Sequence, residues 1–421
     1  MKKLIKIFVL SFLLFEFVVS QCLGDFNLNY QVEQTDLNIF SNYLLLSNDT
    51  IINNADIDYN NSLDIFDLLL IADEIIYNGI GWCEFENVDL SNEWEEQEDT
   101  SYYDHENLQT IINNNINNLP HIRGLIVIHR GKVVGEKYYN NSNMNQSFNI
   151  WSVTKSYIST LVGQAIDMGY IADEEVMLDE VFFENSYTNQ VSIAHLLEMS
   201  SGWPENWSYM NINNVLNTLL STPLNNTPGA AFFYNNAACH INSHCINTMT
   251  NMNPKEFAME YLFPHLGIDN PVWSSDVGGV SNGSYGLSLT LRGMVKLGQL
   301  YLQFGKSDDL QILSSDWIEK ATSIQINSGG SSYGYLWWLT ENGYLALGLG
   351  GQIIAVFPNQ QLVVGAHSYT YSNDNHFSNL IDIIFSMIFP IFDISSNLFN
   401  HQPNIENIKK MYTTTISNQL R

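Results

Sequence analysis

Ile150-Trp151-Ser152-Val153-Thr154-Lys155-Ser156-Tyr157-Ile158-Ser159-Thr160 decides how this chain is read. A serine three residues before a lysine, at the start of an apolar helical pattern, puts a hydroxyl and an amine on one helix face, one turn apart. The hydroxyl is a weak nucleophile until a neighbouring base takes its proton. A lysine can be that base when burial and nearby positive charge bring its pKa toward neutrality. Lys155 is the only lysine in the chain with a serine three positions before it.

Two further stretches fit the same chemistry. In Pro228-Gly229-Ala230-Ala231-Phe232-Phe233-Tyr234-Asn235-Asn236-Ala237, a tyrosine stands two residues before an asparagine, after a turn and ahead of a helix. It offers a second proton acceptor, and Asn236 offers an amide; a phenol ionises more easily beside an ammonium. In Ala346-Leu347-Gly348-Leu349-Gly350-Gly351-Gln352, glycines between two strand patterns let the backbone approach a ligand and turn its N–H groups inward, as an oxyanion hole requires.

Taken in order, these three elements resemble the serine β-lactamase-like hydrolases: class C β-lactamases, D,D-peptidases, and related esterases and amidases such as the 6-aminohexanoate-dimer hydrolases. S-x-x-K is a signature of that superfamily, and the Tyr-x-Asn element points to its class C-like branch. Val191 to Trp203, Tyr333-Gly334-Tyr335-Leu336-Trp337-Trp338 and Gly350 to Pro358 resemble further family stretches, so the likeness runs over roughly residues 105–390. It implies that Ser152 forms an acyl-enzyme and that Lys155 and Tyr234 share the proton traffic. It also implies that Asn236 orients the substrate and that the turn Gly348-Leu349-Gly350, with the Ser152 N–H, holds the oxyanion. One departure matters. The family's third motif is Lys-Thr-Gly, or His-x-Gly in relatives, and Ala346 to Gly350 contains no basic residue. The cation that would engage a β-lactam or peptide carboxylate is missing there, which favours an ester or amide substrate. A D,D-peptidase or β-lactamase is the alternative enzyme, and a non-catalytic binding protein of the same fold is the alternative of another class.

Strand patterns occur at Gly124 to Tyr139, with a tight turn at Arg130-Gly131, and again at Tyr333 to Thr340, Tyr344 to Leu347, Gln352 to Phe357 and Gln361 to His367. Helical patterns fill Ser152 to about Leu302, and a last helix runs over about Asn375 to Ile388, ended by Pro390. The predicted class is α+β: an antiparallel sheet flanked by helices plus a large helical region, with the nucleophile at their junction.

Ahead of this lies a repeat whose copies start 31 residues apart. Oxygen side chains recur at loop positions 1, 3, 5 and 12: Asp25, Asn27, Asn29 and Asp36, then Asp56, Asp58, Asn60 and Asp67. Each loop precedes an apolar helical run. Such alternation can converge on one hard cation such as calcium. The repeat resembles a dockerin, a small all-α pair of F-hand loops. That likeness adds the carbonyls of Gln31 and Ser62 as ligands and implies tethering to a cohesin-like partner. Tyr30 and Asn61 replace the usual glycine at position 6, so the second loop is the expected calcium site. An Asx-rich pair of helix caps is the alternative.

Lys2, Lys3 and Lys6 followed by the apolar Ile7 to Phe15 read as a signal peptide over residues 1–20, and Gln21 before Cys22 argues against a lipid anchor. Residues 21–83 then form the dockerin-like module, 84–105 an acidic linker, 106–390 the hydrolase domain and 391–421 a tail. Export permits a Cys22–Cys83 bridge, whereas Cys239 and Cys245 read as buried free thiols. With 16 Lys+Arg against 44 Asp+Glu, a net charge of −28 repels phosphate backbones and excludes nucleic acid as a partner. No later stretch reads as a membrane span.

Overall fold

The computed structural model describes residues 31–32, 37–38, 40–41, 81–82, 87–98, 100, 103–328, 331–369, 375–392 and 405–417. The chain divides into two units, Met1–Glu86 and Asn87–Arg421. In the first, strand Gln31–Val32 pairs antiparallel with Gly81–Trp82, and residues 37–38 and 40–41 are helical around a buried Phe40. Gln31 therefore sits in a strand. The expected signal peptide, the other calcium-ligand candidates (Asp25, Asn27, Asn29, Asp36, Asp56, Asp58, Asn60, Ser62 and Asp67), Cys22 and Cys83 lie outside the described residues.

The second unit is built on an eight-stranded antiparallel sheet. Its strands are β1 (Ile122–His129), β2 (Lys132–Tyr138), β3 (Ile326–Ser328), β4 (Ser331–Tyr333), β5 (Trp338–Thr340), β6 (Gly343–Gly348), β7 (Gln352–Phe357) and β8 (Leu362–Ser368). The spatial order is β3-β4-β5-β6-β7-β8-β1-β2. Strands from the two ends of the sequence thus join in one sheet, with Val127 opposite Val364. The β1–β2 hairpin turns at Arg130 and Gly131, both at positive φ (54° and 74°), the two-residue geometry that matches strand twist.

Four helices position the site: α1 (Thr154–Asp167), α2 (Asn236–Thr250), α3 (Leu291–Leu302) and α4 (His376–Ile383). All six residues of β7 are buried because both sheet faces are covered. On one face Gly298 of α3 comes so near that a Cβ there would stand 2.6 Å from Ile354 Cγ2. On the other, Phe357 packs on Phe385 and Phe389, with ring centroids 5.2 and 4.8 Å away. Each such apolar side chain contributes ~1.5–3 kcal/mol by leaving water.

Three sequence expectations change. The single strand expected over Tyr333 to Thr340 is divided, because the chain turns through Gly334–Trp337 with Leu336 at φ 63°. The C-terminal helix does not stop at Pro390. A π turn at Ile384–Ile388 widens the helix just before the ring that lacks an N–H, and helix resumes over Phe389–Phe392. Residues 391–421 include the helix Ile405–Ser417, whose Ile408 and Met411 are buried and whose Lys409 pairs with Asp382 of α4 at 2.9 Å.

The stretch expected to be an acidic linker also packs. Leu90 and Trp94 are buried, and Glu96 bridges to Val133 beside β2. Arg292 gathers Glu93, Glu96 and Glu136 around its guanidinium. Two apolar anchors and one arginine outweigh the charge density that suggested a solvated segment.

Candidate active site

The candidate nucleophile, Ser152, stands on a strained turn. Asn149 Oδ1 accepts the N–H of Trp151 at 2.9 Å and that of Gly286 at 3.2 Å. Trp151 takes φ 50°, a left-handed conformation that costs a bulky residue about 1–3 kcal/mol. Ser152 follows in a 3₁₀ turn, Trp151–Val153, that runs directly into α1. The helix expected from Ser152 therefore begins two residues later, but the hydroxyl and amine still meet: Lys155 Nζ lies 2.9 Å from Ser152 Oγ.

Lys155 is 1% exposed, and its nitrogen has three acceptors. Besides Ser152 Oγ these are Asn236 Oδ1 at 2.8 Å and the Ser284 carbonyl at 2.9 Å. An ammonium has three N–H donors, so each is satisfied. Burial pushes the Lys155 pKa down to about 8, opposed by the nearby Cys239 and Glu205. On the order of one molecule in ten is then the neutral amine at pH 7. In that form two N–H groups can stay on Asn236 and Ser284, which leaves the lone pair aimed at Ser152 Oγ. The two carbonyl-type acceptors thus orient a base as well as stabilise a cation.

Asn236 is the first residue of α2, capped by Asn235, whose Oδ1 accepts Ala238 N–H at 2.8 Å. Its Nδ2 donates to Glu205 Oε2 at 3.2 Å. One amide N–H of the residue expected to orient substrate is therefore held by the protein, and its oxygen faces Lys155. Ser284 donates its hydroxyl to the Asn236 carbonyl at 2.6 Å, and its own N–H goes to Asn282 Oδ1. Neither Glu205 nor Ser284 was found from sequence. Glu205 sits in the Ser-Gly-Trp-Pro-Glu stretch with no spacing relation to α2, and Ser284 contributes its backbone oxygen.

Tyr234 is buried, with its ring parallel to that of Trp338 (centroids 6.1 Å apart, 10° between planes). Lys155 Nζ lies 4.8 Å from the Tyr234 ring centroid. The sequence-predicted Ser152, Lys155, Tyr234 and Asn236 thus converge from two segments. Gly348 ends β6 against the nucleophile turn: a Cβ there would meet the Ile150 carbonyl at 2.4 Å. Leu349 is buried, and Gly350 and Gly351 take φ 85° and 89°, so the glycine-rich turn is brought beside Ser152. Glu205 also lines a cavity of about 300 Å³ with Trp203, Pro204, Trp207, Leu219 and Ile241.

Among the described residues, His240, His244 and Asp276 bring ligand-type atoms within 4.8 Å of one another. The Gly283 N–H donates to His240 Nδ1 at 3.1 Å, so Nε2 carries the ring proton and donates to Asp276 Oδ2 at 3.0 Å. Burial lowers the His240 pKa to about 4. This neutral imidazole braces the loop that carries Ser284, and its Nε2 has no lone pair for a metal. Cys239 and Cys245 are free and buried on α2, as the sequence suggested.

A buried Ser–Lys pair, a tyrosine and a glycine turn at the junction of an antiparallel sheet and a helical region are the groups that a serine acyl-transfer site requires. Residues 112–382 match the Beta-lactamase family. The chain belongs to that family of serine hydrolases. It is similar to a solved structure titled "Putative 6-aminohexanoate-dimer hydrolase from Bacillus anthracis" (20% identity, 74% of this chain and 90% of that one, TM-score 0.59). It is also similar to the penicillin binding protein from Bacillus halodurans (16% identity, 66% and 99%, TM-score 0.53). An uncharacterized protein of Alkalihalophilus pseudofirmus is 20% identical over 305 residues, 62% of this chain and 87% of its own length. No described helix is long and apolar enough to cross a membrane.

Proposed function

We propose that this chain is an exported serine hydrolase that cleaves an ester or amide through an acyl-enzyme on Ser152. The observation that carries the reading is the buried Lys155 amine 2.9 Å from Ser152 Oγ, with two fixed acceptors that leave its lone pair facing that oxygen. In the first step the Ser152 oxygen bonds to the substrate carbonyl carbon. Its proton passes to Lys155 or Tyr234, and the negative charge gathers on the carbonyl oxygen between the Ser152 and Leu349 N–H groups. Collapse of the tetrahedral species expels the alcohol or amine, which takes up that proton. Water then repeats the sequence and releases the acid.

The glycine turn Gly348–Gln352 carries no basic side chain, which favours substrates without an anchoring carboxylate over β-lactams and D,D-peptides. The N-terminal segment is proposed to direct export, and residues 21–83 to bind calcium and a cohesin-like protein. A p-nitrophenyl ester tests the core of this reading. A burst of p-nitrophenol that Ser152→Ala abolishes is expected, with mass mapping of a fluorophosphonate adduct to Ser152 and no adduct from labelled penicillin. Unchanged hydrolysis by Ser152→Ala would refute the serine mechanism.

A further inference from the structure

Glu205 connects the nucleophile's base to the start of α2. Its Oε2 accepts the Asn236 backbone N–H at 2.6 Å and the Asn236 amide Nδ2 at 3.2 Å. Its Oε1 accepts the Ala237 N–H at 3.1 Å and the Asn206 N–H at 2.9 Å. Three of these four donors belong to the first two residues of a fifteen-residue helix, where a carboxylate also complements the helix dipole. An asparagine amide can be turned over with little change in shape, but here the acid leaves one arrangement. A carboxylate only accepts, so the side facing Glu205 must be the NH₂ and the side facing Lys155 must be the oxygen.

We infer that Glu205 is the positioning residue of the proposed reaction: by fixing the Asn236 amide it fixes Lys155 against Ser152. The inference rests on the serine-hydrolase reading, and Glu205 touches neither Ser152 nor the Lys155 nitrogen in any described contact. With Asn236 Oδ1 locked, Lys155 has one of the two acceptors that aim its lone pair. With the amide reversed, an NH₂ would face the ammonium and push it from the serine. The buried charge of Glu205 also favours the protonated form of Lys155, against the larger effect of burial, so its removal shifts the pH at which the base becomes available.

The test uses the full chain with p-nitrophenyl butyrate. Glu205→Gln is expected to lower kcat by about 10- to 100-fold, the effect of one misaligned charge-assisted hydrogen bond at the base, with KM unchanged. The rise of kcat/KM with pH should also move to lower pH, because the carboxylate that favoured the ammonium is gone. Glu205→Asp, which keeps the charge on a shorter arm, should hold the limb at the wild-type pH and serves as the test if Glu205→Gln does not fold by circular dichroism. In an Asn236→Ala background, Glu205→Gln should cause no further fall in kcat. An acid that only caps α2 would instead give losses that multiply in the double variant and a limb that does not move, and either result overturns the inference. Wild-type turnover with an unaffected Glu205→Gln removes this inference alone, whereas absence of any Ser152-dependent turnover in the unsubstituted chain removes the hydrolase reading with it.

Discussion

Lys155 donates to the main-chain carbonyl of Ser284, 129 positions later in the sequence, at 2.9 Å. This contact ties α1 to the loop before α3 and gives the ammonium a partner that no side-chain substitution can remove. It also makes the site's chemistry depend on protonation, since the acceptors that stabilise the cation are those that orient the amine.

The first consequence is a pH profile. With the Lys155 pKa depressed to about 8 by burial, kcat/KM for an ester should rise with pH and level off above that value. Lys155→Met should lower it by about 10³-fold or more. The sign for stability follows from proton binding. Between about 8 and the ordinary lysine value the unfolded chain binds more protons than the folded one, so wild-type stability should rise with pH there relative to Lys155→Met. Stopped-flow kinetics and denaturant melts across pH 7–10.5 check both.

Tyr234→Phe keeps the ring against Trp338 and removes only the hydroxyl. Acylation should slow by about 10²- to 10³-fold, the usual worth of a positioned proton carrier, while the thermal midpoint stays near wild type. A matched fall in both would mean that the hydroxyl is structural.

Gly348→Ala places a Cβ 2.4 Å from the Ile150 carbonyl, too close for any side chain. The turn must shift away from Ser152, with an expected loss of about 1–3 kcal/mol in stability. The rate of phosphonate labelling at Ser152 should fall by more than that of Gly279→Ala, at a loop glycine whose φ of 90° strains a side chain although its Cβ would meet nothing within 4 Å.

Arg292 binds Glu136 through Nε and Nη2, with Nε–Oε1 at 2.9 Å, and reaches Glu93 and Glu96 of the N-terminal acidic stretch. Glu136 is only 11% exposed, so Arg292→Ala leaves a carboxylate with the Tyr138 hydroxyl but without its cation, at a cost of about 3 kcal/mol. Urea denaturation should show that loss with specific activity per folded molecule unchanged, and limited proteolysis should cut within residues 87–98.

The second loop, Asp56 to Asp67, has the better set of oxygen ligands. Calorimetric titration of the full chain with calcium should therefore show one site that Asp56→Ala abolishes. No heat of binding would leave residues 21–83 as a capped helical pair.

Much of the catalytic domain is legible in the sequence because its signals are local. Short apolar runs bounded by turn residues marked β1, β2, β6, β7 and β8, the Arg130-Gly131 turn marked the hairpin, and the Ser152–Lys155 interval is one helical turn. Where reading failed, the deciding contact was distant. Leu90 and Trp94 look like strays in an acidic stretch until Arg292 and Lys296 gather around it. Tyr333 to Thr340 looks like one strand until the chain is required to turn at Gly334–Trp337.

What the sequence alone determined is which side chains are the candidates for the reacting groups, since a nucleophile and a base must be particular side chains at a particular interval. What only the tertiary structure decided is their state. Glu205 and Asn236 lie 31 positions apart with a short helix, Val215–Leu220, and irregular turns between them, and Ser284 contributes a backbone oxygen that every residue possesses. No spacing rule connects them, and yet they orient the Lys155 amine. Its depressed pKa comes from burial, which exists only once the sheet and the helical region have closed around it.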